Sequence, residues 1–343
     1  MGVSSRSWGK TPFGKEVMLF TLENSAGCKA RISTYGGTLT GLEIPVDGTV
    51  SGKMLDVVLG FDSLQEYAAD GNYMGATVGR VAGRISNASF ELNGQKFQLD
   101  SNEGPNHLHG GRNGFNRQVW EVAAVGDKQD TPSLTLSLLS LHLEGGYPGN
   151  LKVEATFTLS GTSLRIIYRA TSDQPTPLNI TAHPYFNLNG NGRKINNHQL
   201  KIFSTKSTTF DEALIPDGKI VEISGTEADF IDFTPLGTNE QDRFYVLENE
   251  REELIPAAIA RCEESGLELE VCTNQLGVQL YTADGIANES PGKNGIQYGP
   301  RCGFCIEPMG YPDAVNKPEF PSVILRPGEK YNHSTEYRFR RIS

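Results

Sequence analysis

The chain reads as all-β, built from antiparallel strands with very little helix. Three observations predict this. Short apolar segments recur between turn residues, and helical periodicity is nearly absent. Glycine is in excess, 38 of 343 residues, about 11% against roughly 7% in an average chain, as many tight turns require. Strands in succession without intervening helices point to a sandwich or a barrel rather than a parallel sheet.

The elements follow in order. Residues 17–23, 30–34 and 56–61 are strand-like, and 63–69 is the best helix candidate, with Leu64, Tyr67 and Ala68 on one face. Asn93-Gly94 lies between two apolar runs, the strongest short hairpin signal. Strands are predicted at 119–125, 134–143, 151–159 and 164–170. The alternation across 152–159 is strict, which means one buried and one solvated face. Ser160-Gly161-Thr162-Ser163 turns that strand into the next, and Glu264-Ser265-Gly266 joins 257–262 to 267–272. The glycine-rich stretches 189–192 and 290–295 are too short to be domain linkers, and no repeat or low-complexity segment divides the chain. Residues 1–343 are therefore expected to form one domain.

Charge and composition exclude several classes. With 31 basic and 41 acidic side chains the net charge is -10, so no basic face is expected for nucleic acid or anionic membrane. No apolar run approaches the ~20 residues of a membrane span. The first ten residues lack the apolar core of a secretory signal, and Arg6 stands where myristoylation needs Ser or Thr. Five cysteines, an odd number, do not describe a disulfide framework. A cytoplasmic protein is expected.

Glycine-rich phosphate loops, Gly-x-Ser-x-Gly and His-Glu-x-x-His are all missing, so the six histidines are the informative residues. His107 and His109, two apart on a strand, would share a face and could bind one metal. The double glycine that follows suggests a tight loop instead, and no metal is expected. His183 on spacing alone reads as a half-buried strand histidine satisfied by backbone. Glu307 ends the apolar run 303–306, with Pro308 after it to stop ladder pairing. A carboxylate facing a cleft from a strand end has a raised pKa and suits general-base work, although a cross-strand salt bridge would explain it equally well. Cys302 and Cys305 have neither a βαβ context nor a second pair, and read as packing residues. Arg80 and Arg84 could reach a hydroxyl or a carboxylate, or form surface ion pairs. Trp120 reads as core.

Together these segments resemble the aldose 1-epimerases, or galactose mutarotases, from Tyr35-Gly36-Gly37 to about Tyr331. The signposts are Val58-Leu59-Gly60-Phe61, Gly79-Arg80-Val81-Ala82-Gly83-Arg84-Ile85 and Asn106-His107-Leu108-His109-Gly110-Gly111. Gly146-Tyr147-Pro148-Gly149, His183-Pro184-Tyr185-Phe186-Asn187-Leu188 and Leu214-Ile215-Pro216-Asp217-Gly218 come next. Pro312-Asp313-Ala314-Val315-Asn316, Phe320-Pro321-Ser322 and Arg326-Pro327-Gly328-Glu329 close the series. The resemblance implies a large antiparallel β-sandwich with an open cleft for a free monosaccharide and no cofactor, as a monomer or homodimer. By matching motif, Glu307 would take the proton from the C1 hydroxyl and His183 would protonate the ring oxygen. His109 would hydrogen-bond near that oxygen, and Arg84, Asp242 and Gln279 would bind sugar hydroxyls.

The chain departs from the family pattern at positions expected to line the cleft. Gly83 and Ala182 each replace an Asn, Gln241-Asp242-Arg243-Phe244-Tyr245 stands where Asp-His-Asn-Phe is usual, and Pro308-Met309 follows the glutamate in place of Thr-Gln or Pro-Gln. Asp242 is accordingly the weakest match. Two rival readings remain: a sugar-binding module without efficient turnover, and an epimerase of a phosphorylated or acidic sugar whose anion meets Arg243 or Arg84.

Overall fold

The computed structural model describes residues 1–46, 52–190, 192–250, 253–286 and 291–342. Asn191 and Ser290, in two predicted loops, lie outside the described residues. The described residues form three antiparallel sheets of five strands or more. A five-stranded meander runs in sequence order through Gly2–Lys10, Glu16–Glu23, Lys29–Ser33, Thr38–Pro45 and Met54–Asp56. A nine-stranded sheet follows the order Glu121–Gly126, Ser133–Ser140, Leu151–Ser160, Ser163–Ser172, Tyr331–Arg341, Leu267–Thr273, Ile255–Cys262, Gln199–Ile202 and Thr234–Pro235. A second five-stranded sheet, here the site sheet, runs Pro216–Glu222, Lys206–Phe210, Asp242–Val246, Gly277–Tyr281 and Cys305–Met309.

One continuous apolar core joins all three. It takes Leu22, Ile32 and Leu42 from the meander, Val153, Ile166, Leu269 and Tyr337 from the nine-stranded sheet, and Tyr245, Val278, Leu280 and Ile306 from the site sheet. Sheets stacked across a shared apolar layer make a sandwich, as expected. The strand Leu151–Ser160 buries and exposes its residues alternately along its length.

The helix lies at Leu64–Ala69, the only α-helix among the described residues. Ser63 and Glu66 form a reciprocal capping box, which supplies two backbone donors of the first turn with acceptors. The hairpins at Asn93-Gly94 and 264–266 form as predicted.

Four predicted boundaries differ. Residues 56–61 form no continuous strand: Met54–Asp56 pairs with the meander, and Val58 makes an isolated bridge to Phe186. Val57, Val58 and Leu59 are buried together, so an apolar run on both faces replaces the alternation of a half-buried strand. The 119–125 strand begins at Glu121, and its Val122 and Val125 are exposed on an edge of the nine-stranded sheet. The 134–143 strand stops at Ser140, after which the chain turns through Leu143 at φ +64°. Pro308 does not stop the ladder. It pairs with Val278, and Met309 continues to Gly277. Cys305–Met309 is an edge strand, where a residue without an N–H is tolerated.

Candidate active site

Register assembles the site. In the site sheet Asp242 pairs with Tyr281 and Tyr281 with Cys305, while Phe244 pairs with Gln279 and Gln279 with Glu307. Side chains alternate between faces. Tyr245, Val278, Leu280 and Ile306 therefore enter the core, and Asp242, Gln279, Tyr281, Cys305, Glu307 and Met309 take the opposite face. All of these except Cys305 line a cleft of about 270 Å³. That is small beside the roughly 300–1,000 Å³ of drug-sized sites, so it suits one small molecule.

The histidines arrive from two other segments. His183 follows the short strand Thr181–Ala182, which pairs with Thr77–Val78. Its backbone N–H donates to Ala76 O and its carbonyl accepts from Gly75 N. Reciprocal bonds between Phe186 and Phe304 staple this segment beside Glu307. The His183 ring stacks between Tyr185, at 5.0 Å, and Tyr73, at 6.2 Å. The Tyr185 hydroxyl is itself tied to Asn72 O.

His107 and His109 do not share a face, because the strand ends at Leu108 and His109 adopts φ +53°. His107 is buried, held by Asp100 O and the Tyr147 hydroxyl. His109 turns into the cleft, its ring perpendicular to His183 at 5.4 Å. Gly83 clamps it twice: Gly83 N donates to His109 Nδ1, and Gly83 O accepts from His109 N.

The predicted residues do come together. His183 Nε2 lies 3.5 Å from Glu307 Oε1, and both side chains are almost fully buried, 5% and 2% exposed. Glu307 Oε2 and Gln279 Oε1 are buried with no hydrogen-bond partner among the described residues. Gln279 Nε2 donates to Asp242 Oδ1. Arg84 grips Glu103 with two nitrogens at 2.7 Å and lies 3.8 Å from Asp242 through Nη1. Burial pushes the Glu307 carboxyl well above its usual range, and the neighbouring Asp242 charge adds to this. Burial draws His183 down to about 4, and it also draws His109 well below the usual imidazole value. Asp242 is raised by burial, against the pull of Arg84.

One ligand atom from each of His109, His183 and Glu307 lies within 4.8 Å of the others, close enough to raise the question of a metal. The donor chemistry does not suit one. His109 Nδ1 accepts the Gly83 N–H, so a neutral ring carries its proton on Nε2 and offers no lone pair there.

Other expectations are revised. Of the departures from the family pattern, Gly83 and Met309 line the cleft, whereas Ala182, Arg243, Phe244 and Pro308 do not. A Cβ on Gly83 would come within 3.3 Å of Pro312 Cβ and 3.6 Å of Met309 Cε, so the methionine occupies room beside the glycine. Arg243 reaches Ser207 and lies over the ring of Phe210, which lines the cleft, without lining it itself. Arg80 is not a surface residue. It is buried, bonded to Ser140, Leu141 O, Pro148 O and Thr176. Trp120 is core, as expected. Sequence reasoning missed Tyr73, Glu103, Tyr185 and Tyr281. Of these only Glu103 had a usable signal, an acid four residues before the predicted His107–His109 segment.

Stacked antiparallel sheets with a small polar cleft and a buried carboxylate–imidazole pair define a class of protein that moves protons on a small polar molecule. The comparisons narrow the class. The family model described as aldose 1-epimerase matches residues 18–338. The chain is 38% identical over 346 residues to galactose mutarotase of Homo sapiens, covering 98% of each. It is 32% identical over 342 residues to aldose 1-epimerase of Escherichia coli K12, covering 96% of each. The solved aldose epimerase homologue from C. elegans superposes with a TM-score of 0.87 at 30% identity, over 94% of this chain and 98% of that one. The chain belongs to the aldose 1-epimerase family, and is an isomerase.

Proposed function

We infer that this chain interconverts the α and β anomers of a free aldohexose such as galactose or glucose, with Glu307 and His183 as the proton-moving pair. The carrying observation is their 3.5 Å approach in the cleft wall. Ring opening removes a proton from O1 and adds one to O5, and both oxygens are bonded to the same carbon. Base and acid must therefore be neighbours. The Glu307 carboxylate takes the O1 proton, the C1–O5 bond breaks, and the His183 Nε2 proton passes to O5. Rotation about C1–C2 presents the other aldehyde face, and the same two groups in reversed roles close the ring.

Protonated Glu307 beside neutral His183 is the arrangement that accompanies the open-chain aldehyde. Burial favours both neutral forms. The buried pair thus favours the proton arrangement of the intermediate over the ion pair that begins ring opening, so the proton transfer relaxes the pair toward its preferred form.

His109, as an Nε2–H donor, suits the neighbourhood of O5. Arg84, Asp242 and Gln279 offer a donor, an acceptor and an amide to ring hydroxyls. An anionic sugar suits the site poorly. Glu103, Glu240, Asp242 and Glu307 face a single arginine, already forked to Glu103. We take residues 1–343 as one domain, since the main core draws on residues from Phe20 to Phe339. We assign the cytoplasm because all five cysteines are free and buried, as in a reducing compartment.

The test is mutarotation followed by polarimetry. Glu307→Gln should fold normally and lose roughly 10²–10⁴-fold in kcat. His183→Ala should lower kcat far more than it raises KM. Near-normal turnover in Glu307→Gln would overturn the assignment, and saturable sugar binding without acceleration in the native protein would favour a binding module.

A further inference from the structure

Cys305 was expected to be a packing residue, and it is fully buried. Its sulfur, however, lies 3.5 Å from His183 Nδ1, on the other side of the ring from Glu307. No other side chain approaches that nitrogen among the described residues; the carbonyl of His183 itself is the one backbone acceptor that also meets the ring. The register explains the contact: Cys305 and Glu307 are two apart on one strand and share a face, so the strand addresses both nitrogens of one imidazole.

We propose that the Cys305 sulfur accepts the Nδ1–H of His183 throughout the reaction, fixing the tautomer that leaves Nε2 free to give and retake the proton of the ring oxygen. The proton balance requires such a partner. When His183 gives its Nε2 proton to O5, the neutral ring keeps its proton on Nδ1, and ring closure needs the bare Nε2 to take the O5 proton back. A proton that shifted to Nε2 would block the return step. Catalytic and metal-bound histidines commonly hold this proton against a carboxylate or carbonyl, which makes the ring more basic. A thiol is a weak acceptor. It orients the ring while giving the imidazolium little stabilisation, so the proton departs readily. Burial, with Glu307 and Asp242 nearby, pushes the thiol well above its ordinary value, so the sulfur is uncharged. The other side chains around the ring are Glu307, His109, Tyr73 and Tyr185, and none of them is placed at Nδ1. Cys305 is in this sense a positioning residue, and the inference rests on His183 being the acid.

The tautomer can be read without turnover. In the ¹⁵N-labelled full-length protein, the His183 ring signals, assigned by difference from His183→Ala, should show Nδ1–H in the neutral form. Neutral Nε2–H in the native protein would overturn the inference, whatever the mutants do. Cys305→Ala should lower kcat at least about tenfold with KM changed less than about twofold. Cys305→Ser keeps an acceptor. It should hold the Nδ1–H tautomer, recover most of kcat, and move the acid limb of the kcat profile upward, because a hydroxyl stabilises the imidazolium better. A Cys305→Ala enzyme with native kcat and pH profile would also overturn it. His183→Ala with native turnover would instead remove the assignment of the acid itself.

Discussion

His183 and Glu307 are displaced from their usual pKa values in opposite directions, and the direction sets the pH behaviour. In the proposed reaction the pair works while it holds one proton between the two groups. As pH falls through about 4, His183 gains a proton while Glu307 keeps its own, and the base is lost. As pH rises through the elevated range of Glu307, the pair loses its shared proton and the acid is lost. The enzymatic kcat, after subtraction of the spontaneous rate, should therefore form a broad bell. Its acid limb should lie near 4 rather than at the 6.5 of an ordinary imidazole. A limb at the ordinary value would contradict the burial of His183. The metal question is also decided at this scale. Exhaustive chelation should leave kcat and KM unchanged, measured on protein whose metal content has been determined, because the Nε2–H of His109 offers no ligand.

At the scale of elements, the site sheet separates stability from chemistry by alternation. Leu280 sits on the core face between Arg243 and Ile306, one residue from Gln279 on the cleft face. Leu280→Ala should cost about 2–5 kcal/mol of stability, read by denaturant titration, while kcat per folded molecule falls less than tenfold. The His109 loop behaves differently. Gly110 has φ +86°, and a Cβ there would lie 1.9 Å from Gly79 O. Gly110→Ala should therefore lose both stability and turnover. The backbone strain alone costs about 1–3 kcal/mol, and the overlap pushes away the turn that aims His109. A thermal melt together with polarimetry distinguishes the two variants.

At the scale of the whole molecule, net charge and cleft charge agree in sign. The chain carries -10, and the cleft sets four carboxylates against one arginine. Glucose 6-phosphate should accordingly turn over with lower kcat/KM than glucose, compared by proton exchange in NMR at equal ionic strength. No helix among the described residues is long and apolar enough to cross a membrane. The all-β architecture was legible because period-2 alternation and turn chemistry are local signals. Asn93-Gly94 and the strict alternation of 152–159 each determine their element within a few residues. The acid–base candidates were legible through motif resemblance, which carried Glu307 and His183 as residue types in order along the chain. Their 3.5 Å approach was not, since it depends on pairing between segments more than a hundred residues apart. For the same reason His107 and His109 looked equivalent in sequence. Only the turn at His109 sends one ring to Tyr147 and the other to the cleft. Likewise Cys305 read as a packing residue, and only its strand register sets the sulfur against His183 Nδ1. The sequence by itself determined the strands, their turns and the chemical inventory. Tertiary structure decided which side chains meet and which charges are buried, because register and desolvation are properties of the assembled sheets and not of any one strand.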